Sequence, residues 1–326
     1  MNPLRLLPRV AAAAILLPSL AFVAEEGSFD RSLSVSGEVK LDVGTGSGSI
    51  EITKGASGTV EIHGLIRARS GFLSGANASE KIRRIEENPP IEQTGNVIRV
   101  GARGDGDDDL YDNVSLSYQI VVPEDTAVIA KSGSGSQTIS GVEGPVQARA
   151  GSGSLSLGPI GGDVEARAGS GSIRVNDVGG NLDVKTGSGS IDALAVKGAI
   201  TASAGSGRIE LEQTGAGDVS VHSGSGAVRV RGVRGGLSAT TSSGSIRAQG
   251  EMVRDWRLEA SSGGITVELP PEAAFELDAS TGSGSIDSER PVSVTGRISR
   301  KSLRGAVGTG GPRLEIETSS GSIVIR

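Results

Sequence analysis

Cysteine is absent from the 326 residues, and aromatic side chains are scarce: one tryptophan, two tyrosines and four phenylalanines. Without cysteine there is no disulfide, no thiol nucleophile, no cysteine-ligated metal and no lipid-modified cysteine anchor. So few aromatics exclude an ordinary globule built around an aromatic core. The two histidines, His63 and His222, lie far apart in the chain, so the sequence arranges neither a zinc cluster nor a histidine-centred catalytic group. No apolar run reaches the roughly 20 residues that a comfortable membrane helix needs. Net positive charge is also missing. The formal charge is −6, and loss of Arg5 and Arg9 with a leader takes −6 to −8, which opposes nonspecific nucleic-acid binding.

Glycine is what the chain has in excess, 51 residues against 12 prolines, but not at every third position, so the composition is not that of collagen. Residues 1–24 read as an export leader. Arg5 and Arg9 form a basic start, Ala11 to Val23 an apolar stretch interrupted by Pro18, and Ser19-Leu20-Ala21 or Ala24 a cleavage site. The expected compartment is therefore the periplasm or the cell surface and beyond.

The phrase Gly169-Ser170-Gly171-Ser172-Ile173 returns roughly every 18 residues through the C-terminal two-thirds of the chain, which is the period of a solenoid. Aligned copies give columns. The phrase closes on Leu155, Ile173, Ile191, Ile209, Val228, Ile246, Ile265, Ile286 and Ile323, and Gly133-Ser134-Gly135-Ser136 reaches its own apolar position only at Ile139. Five residues before the phrase stand Val128, Val146, Val164, Leu182, Ile200, Val219, Leu237, Trp256, Leu277 and Leu314; three before it, mostly alanines from Ala130 to Ala279. Apolar and polar residues alternate around each phrase, so every unit carries short strands joined by a tight Ser/Gly turn. The fold expected is all-β: a single-stranded parallel β-helix (β-solenoid) with about 18 residues per coil, wound right-handed because parallel crossovers overwhelmingly are. Glycine is expected to supply positive φ at the corners. Residues 25–127 read as a β-rich cap with the first coils and a short helical insertion near 79–87, whose Ile82 and Ile85 face the body. Residues 128–326 are the repeats, with an irregular end between Pro291 and Pro312.

Candidate chemistry is thin. The acidic turn at 105–112 lacks the glycine and closing glutamate of an EF-hand and reads as a solvated turn. Gly-Ser-Gly-Ser is turn chemistry, with no helix or Lys-Ser pair after it to make a phosphate loop. Asp163, Asp177, Asp183, Asp192 and Asp218 do not fall in a single column, so no carboxylate pair suited to glycan cleavage is imposed. No cofactor or metal is called for. The informative outward column is Lys131, Arg149, Arg167 and Lys185, continued by Ser203, His222 and Thr240. A basic ladder on a net-acidic chain suits an acidic glycan or envelope polymer; it equally suits resistance to sheet-to-sheet aggregation.

The leader, the strand from Val114 to Val122 before Pro123, the Gly-Ser-Gly-Ser-Ile units and the ending from Ser302 to Ile323 resemble the bacterial "putative adhesin" family of exported β-strand-repeat proteins, a family largely of unknown function. The resemblance implies a β-helix and an envelope location and carries no catalytic residues. The function expected is that of an exported, non-enzymatic adhesin or envelope binding protein. The alternatives are a periplasmic structural or assembly factor with a protein partner and, behind both, a glycan-processing enzyme.

Overall fold

The computed structural model describes residues 24–69, 75–101, 108–294 and 299–326. The expected leader lies outside the described residues except for Ala24, and so do residues 105–107 of the acidic turn. The rest of that acidic stretch begins with a single helical turn, Asp108–Tyr111.

Alternation dictates the strands. In Val146–Ala150, Val164–Ala168 and Leu182–Thr186 every second residue is buried and the others face out. These strands pair parallel and in register, so Val146, Val164, Leu182, Ile200, Val219 and Leu237 stack as one column. On a second wall Leu155, Ile173, Ile191, Ile209, Val228, Ile246 and Ile265 do the same. Each rung lays one apolar side chain on its equivalent about 4.8 Å away, and each buried Val, Leu or Ile contributes roughly 1.5–3 kcal/mol. A third inward column, not read from the sequence, runs through Val142, Ile160, Val178, Val196 and Gln213. Gln213 is tolerated there because its amide nitrogen donates to the carbonyls of Gly198 (2.8 Å) and Gly217 (3.2 Å) while its oxygen accepts from Arg234 N (3.2 Å).

Two expectations about the phrase are corrected. Gln137, not Ile139, occupies the closing position of its copy, aligned with Ile50 and Leu155, whereas Ile139 aligns with Ile52 and Leu157. The Gln137 amide is held by Ser132 Oγ (2.8 Å) and the Arg149 carbonyl (2.7 Å), which lets a polar residue take an apolar rung. The glycines of the early copies are also not there for positive φ. A Cβ on Gly171 would lie 1.9 Å from the Gly153 carbonyl oxygen, and one on Gly153 would lie 1.9 Å from that of Gly135. Coil-to-coil contact at the corner leaves no room for a side chain; only later copies, such as Gly207 (φ 137°), add a left-handed backbone.

Chain order and stacking order differ at both ends. From Trp256 the ladder passes to Leu314 and only then to Leu277, and from Ile265 to Ile323 and then Ile286. The C-terminal coil therefore lies between coils 246–268 and 275–288. At the other end, Val39–Thr45 lies between Val97–Val100 and Thr126–Ser132, and Ile50–Lys54 between Val114–Val122 and Gln137–Ser140. The outermost strands are antiparallel: Ala24–Ser34 on Thr59–Arg69, Thr59–Arg69 on Val114–Val122, and Ser302–Val307 on Phe275–Ser283. The single-stranded parallel description thus holds for the central coils, and antiparallel strands close the ends.

The insertion helix is longer than expected, Gly75–Glu87, and it buries Ile82 and Ile85 as anticipated. It rests on Gly27, where a Cβ would meet Ile82 Cγ2 at 2.3 Å. Its Glu86 accepts a hydrogen bond from Ser28 N (2.9 Å), so the helix occupies part of the free edge of strand Ala24–Ser34 and blunts it.

Candidate anion-binding face

The outward column is assembled by the same register that builds the core. Lys131, Arg149, Arg167 and Lys185 sit on adjacent parallel strands, followed by Ser203, His222 and Thr240. The column does not stay basic: Thr240 is followed by Glu259 and then by Glu317 on the intercalated C-terminal coil. Aligning the repeats in sequence already sets Glu259 after Thr240; that Glu317 is next to Glu259 comes only from the altered stacking order.

Neighbouring carboxylates offset part of the charge. Glu165 lies 3.1 Å from Arg149 and 2.9 Å from Arg167, Arg167 also reaches Asp183 at 3.8 Å, and Lys131 reaches Asp42 at 3.4 Å. A hydrogen bond from Gln147 (2.7 Å), then one from Arg149, hold the Glu165 carboxyl below its ordinary pKa. These cations are about half exposed, so each pair contributes little to stability. Lys185 is exposed and has no ion-pair partner among the described residues. His222 Nδ1 shares a hydrogen bond with Thr240 Oγ1 at 2.9 Å.

A shallow open cleft of ≈ 540 Å³ follows this column. Arg149, Arg167, Lys185, Ser203 and His222 line it together with the corner glycines Gly169, Gly187, Gly205 and Gly224; Ala168, Thr186 and Ala204 contribute backbone, their side chains being turned into the core. The corner glycines let the coils approach closely there: a Cβ on Gly169 or Gly187 would lie 2.4 Å from the carbonyl oxygen of the preceding coil's glycine. One residue further on, the exposed serines Ser152, Ser170, Ser188 and Ser206 follow the glycines, and their hydroxyls make no hydrogen bond to described residues.

Other polar columns are structural. Asp163 and Asp218 do share a column, with Asn181 and Asp255, each six residues before its phrase. Their side chains accept from backbone nitrogens of the next coil: Asp163 from Asn181 N (2.7 Å), Asn181 from Ala199 N (2.9 Å), Asp218 from Gly236 N (2.7 Å) and Asp255 from Arg313 N (2.8 Å). A carboxylate spent on a backbone donor is a coil tie, not an acid poised over a substrate. A second column not read from the sequence is the inward hydroxyl just before each phrase. Ser132 donates to Gly135 O (2.6 Å), Thr186 to Gly171 O (2.9 Å) and Thr318 to Gly263 O (3.0 Å), each pinning a corner. Among the described residues no cluster of His, Asp or Glu is disposed to hold a metal ion, and no helix is long and apolar enough to cross a membrane. Histidines 63 and 222 remain apart; His63 pairs with Asp30 at 2.8 Å.

A family model described as Toastrack DUF4097 matches residues 117–326. Among curated proteins none matches the chain significantly. Similar solved structures include a "putative cell adhesion protein" from Clostridium sporogenes ATCC 15579, 13% identical over 92% of this chain and 99% of that one, TM-score 0.22. Another is a "putative adhesin" from Bacteroides fragilis NCTC 9343, 12% identical over 92% and 97%, TM-score 0.25. A third, a "putative adhesin" from Parabacteroides merdae ATCC 43184, is 7% identical over 92% and 96%, TM-score 0.32. Likenesses this distant assign no function.

Proposed function

The chain belongs to the Toastrack DUF4097 family, and from that premise we propose that it is an exported, non-enzymatic, adhesin-like β-solenoid that holds an acidic glycan or envelope polymer on its basic outward column. The observation that carries the reading is the alignment of Lys131, Arg149, Arg167 and Lys185 along one face of a chain whose net charge is −6. Registered cations present a one-dimensional positive strip, and a flexible linear anion meets such a strip with many weak contacts at once. The basic start and apolar stretch of residues 1–24 support export to the periplasm or cell surface. The coils wind right-handed with 18 residues each, a reading supported by pairs such as Val146 with Val164 and by the handedness of parallel crossovers.

A second reading has its own support. Glu165 and Asp183 interleave with the cations, so the face is of mixed charge and also suits a protein partner in a periplasmic assembly role. Retention of the purified protein on an acidic polysaccharide, read against a salt gradient, tests the first reading. The triple change of Arg149, Arg167 and Lys185 to Ser should abolish retention while leaving the thermal melt unchanged. Undiminished retention by that variant would refute the anion-binding face. Cell fractionation with surface proteolysis separates the roles, because strictly periplasmic retention with a co-purifying protein favours assembly.

A further inference from the structure

We infer that the cleft is built for an unbranched polyuronate, a sugar chain with a carboxylate and free hydroxyls on each residue, lying parallel to the stacking axis and ending short of the acidic rungs. This rests on the anion-binding reading above and narrows it to a ligand class, an orientation and a length. The orientation follows from repetition. Equivalent groups recur once per coil, about 4.8 Å apart, along the stack and not across it, so only a ligand laid along the stack meets the same chemistry at successive units. The class follows from the mixture of groups. Arg149, Arg167 and Lys185 offer charge, but the next rungs, Ser203 and His222, offer hydrogen bonds, and the floor is the backbone and Cα atoms of the corner glycines. A polyphosphate has charge at every repeat and no apolar face, so it would waste both the floor and the neutral rungs. A uronate ring places its carboxylate on the cationic side, its C–H face on the glycine floor and its hydroxyls toward the serine rim.

The length follows from the cleft, with the charge reversal beyond its far end. Glu259 and Glu317 stand on the same column beyond Thr240; Arg257 pairs with Glu259, but no cation of the column itself is left there for a ligand carboxylate. From Arg149 to His222 the column spans Arg149, Arg167, Lys185, Ser203 and His222, so a chain of about five sugars fills the site at one residue per rung. Lys185, exposed and without an ion-pair partner among the described residues, is the rung where a ligand carboxylate need not displace an internal carboxylate.

Oligogalacturonates of increasing length, inorganic polyphosphate and neutral dextran are the probes, measured by calorimetry with the chain lacking residues 1–24. The dissociation constant should fall with oligomer length and level off near five sugars. Lys185→Ser with Arg167→Ser should weaken the longest oligomer roughly tenfold or more. Glu259→Lys, also on the surface, should move the plateau to longer oligomers. Polyphosphate binding at least as tightly as the uronate, or affinity that rises with length without a plateau, overturns this inference and leaves the anion-binding face standing. Absence of binding to both anions overturns both.

Discussion

Removing the C-terminal coil should harm this protein more than removing two coils. In a solenoid stacked in chain order, loss of the last unit merely exposes the unit before it. Here residues 313–326 sit inside the stack, between strands Ile246–Ser262 and Phe275–Ser283. Their Leu314, Ile316, Ile323 and Ile325 are at most 1% exposed, and full burial of four such side chains amounts to about 6–12 kcal/mol. That is comparable with the total stability of a typical domain, about 5–15 kcal/mol. A chain ending at Pro312 keeps coil 275–288 but leaves a slot with an unpaired strand on each side. A chain ending at Glu268 has no slot and only one exposed face. The expected order of stability is therefore full chain, then the chain ending at Glu268, then the chain ending at Pro312. Circular dichroism melts rank the three, and limited proteolysis with mass spectrometry should find cleavage within 269–312 only in the slotted chain. If the chain ending at Pro312 melts with the full chain and resists protease, coil 275–288 has closed onto 246–268, and the reasoning that the inserted coil is indispensable is refuted.

Gly171→Ala should cost roughly 1–3 kcal/mol or more by forcing neighbouring coils apart. Gly95→Ala, at φ +59° with open space around it, should cost only the left-handed penalty of about 1–2 kcal/mol, so parallel melts with equal losses would undo the close-approach argument. Ala195 has φ 56° at a turn where another coil uses Gly232 (φ 71°), so Ala195→Gly should stabilise by roughly 0.5 kcal/mol, the relieved strain less the added chain entropy; a lowered denaturation midpoint would contradict this. For Asp278, burial alone would raise the pKa, but hydrogen bonds from Arg304 (2.8 Å) and Arg313 (2.7 Å) outweigh it and hold the carboxyl below its usual range. Its stabilisation is thus complete above the unfolded value of about 3.9 and fades as pH falls through the lower folded value. Asp278→Ala should lose roughly 1.5–3 kcal/mol at neutral pH, with the gap to wild type closing in denaturation curves taken below about pH 4.

The core columns were legible because one spacing governs both the sequence and the pairing. Arg149 aligns with Arg167 along the chain for the same reason that their strands pair, so the cation ladder is visible in the sequence alone. Stacking order was not legible. Residues 275–288 and 313–325 have the same inward pattern, and a pattern states which side chains point in, not which coil lies next door. The Asp163–Asp218 column was less conspicuous because Ala199 and Gly236 interrupt it, although each member stands six residues before its phrase. Gln213, polar and fully buried, disguised the third inward column.

The same distinction says where functional information can reside. An inward position is constrained by the coil above and below, so Ile191 or Ala202 reports only on packing. Outward positions are free of that constraint, and like charges placed directly opposite on neighbouring strands are unfavourable. A run of four cations in register therefore needs compensation. Asp42, Glu165 and Asp183 supply it for Lys131, Arg149 and Arg167. Nothing among the described residues supplies it for Lys185, which sits beside the cleft and next to two uncharged rungs. A column shaped only against aggregation would gain nothing from concentrating its uncompensated charge at the middle rung of a cleft. An incoming carboxylate would neutralise it there.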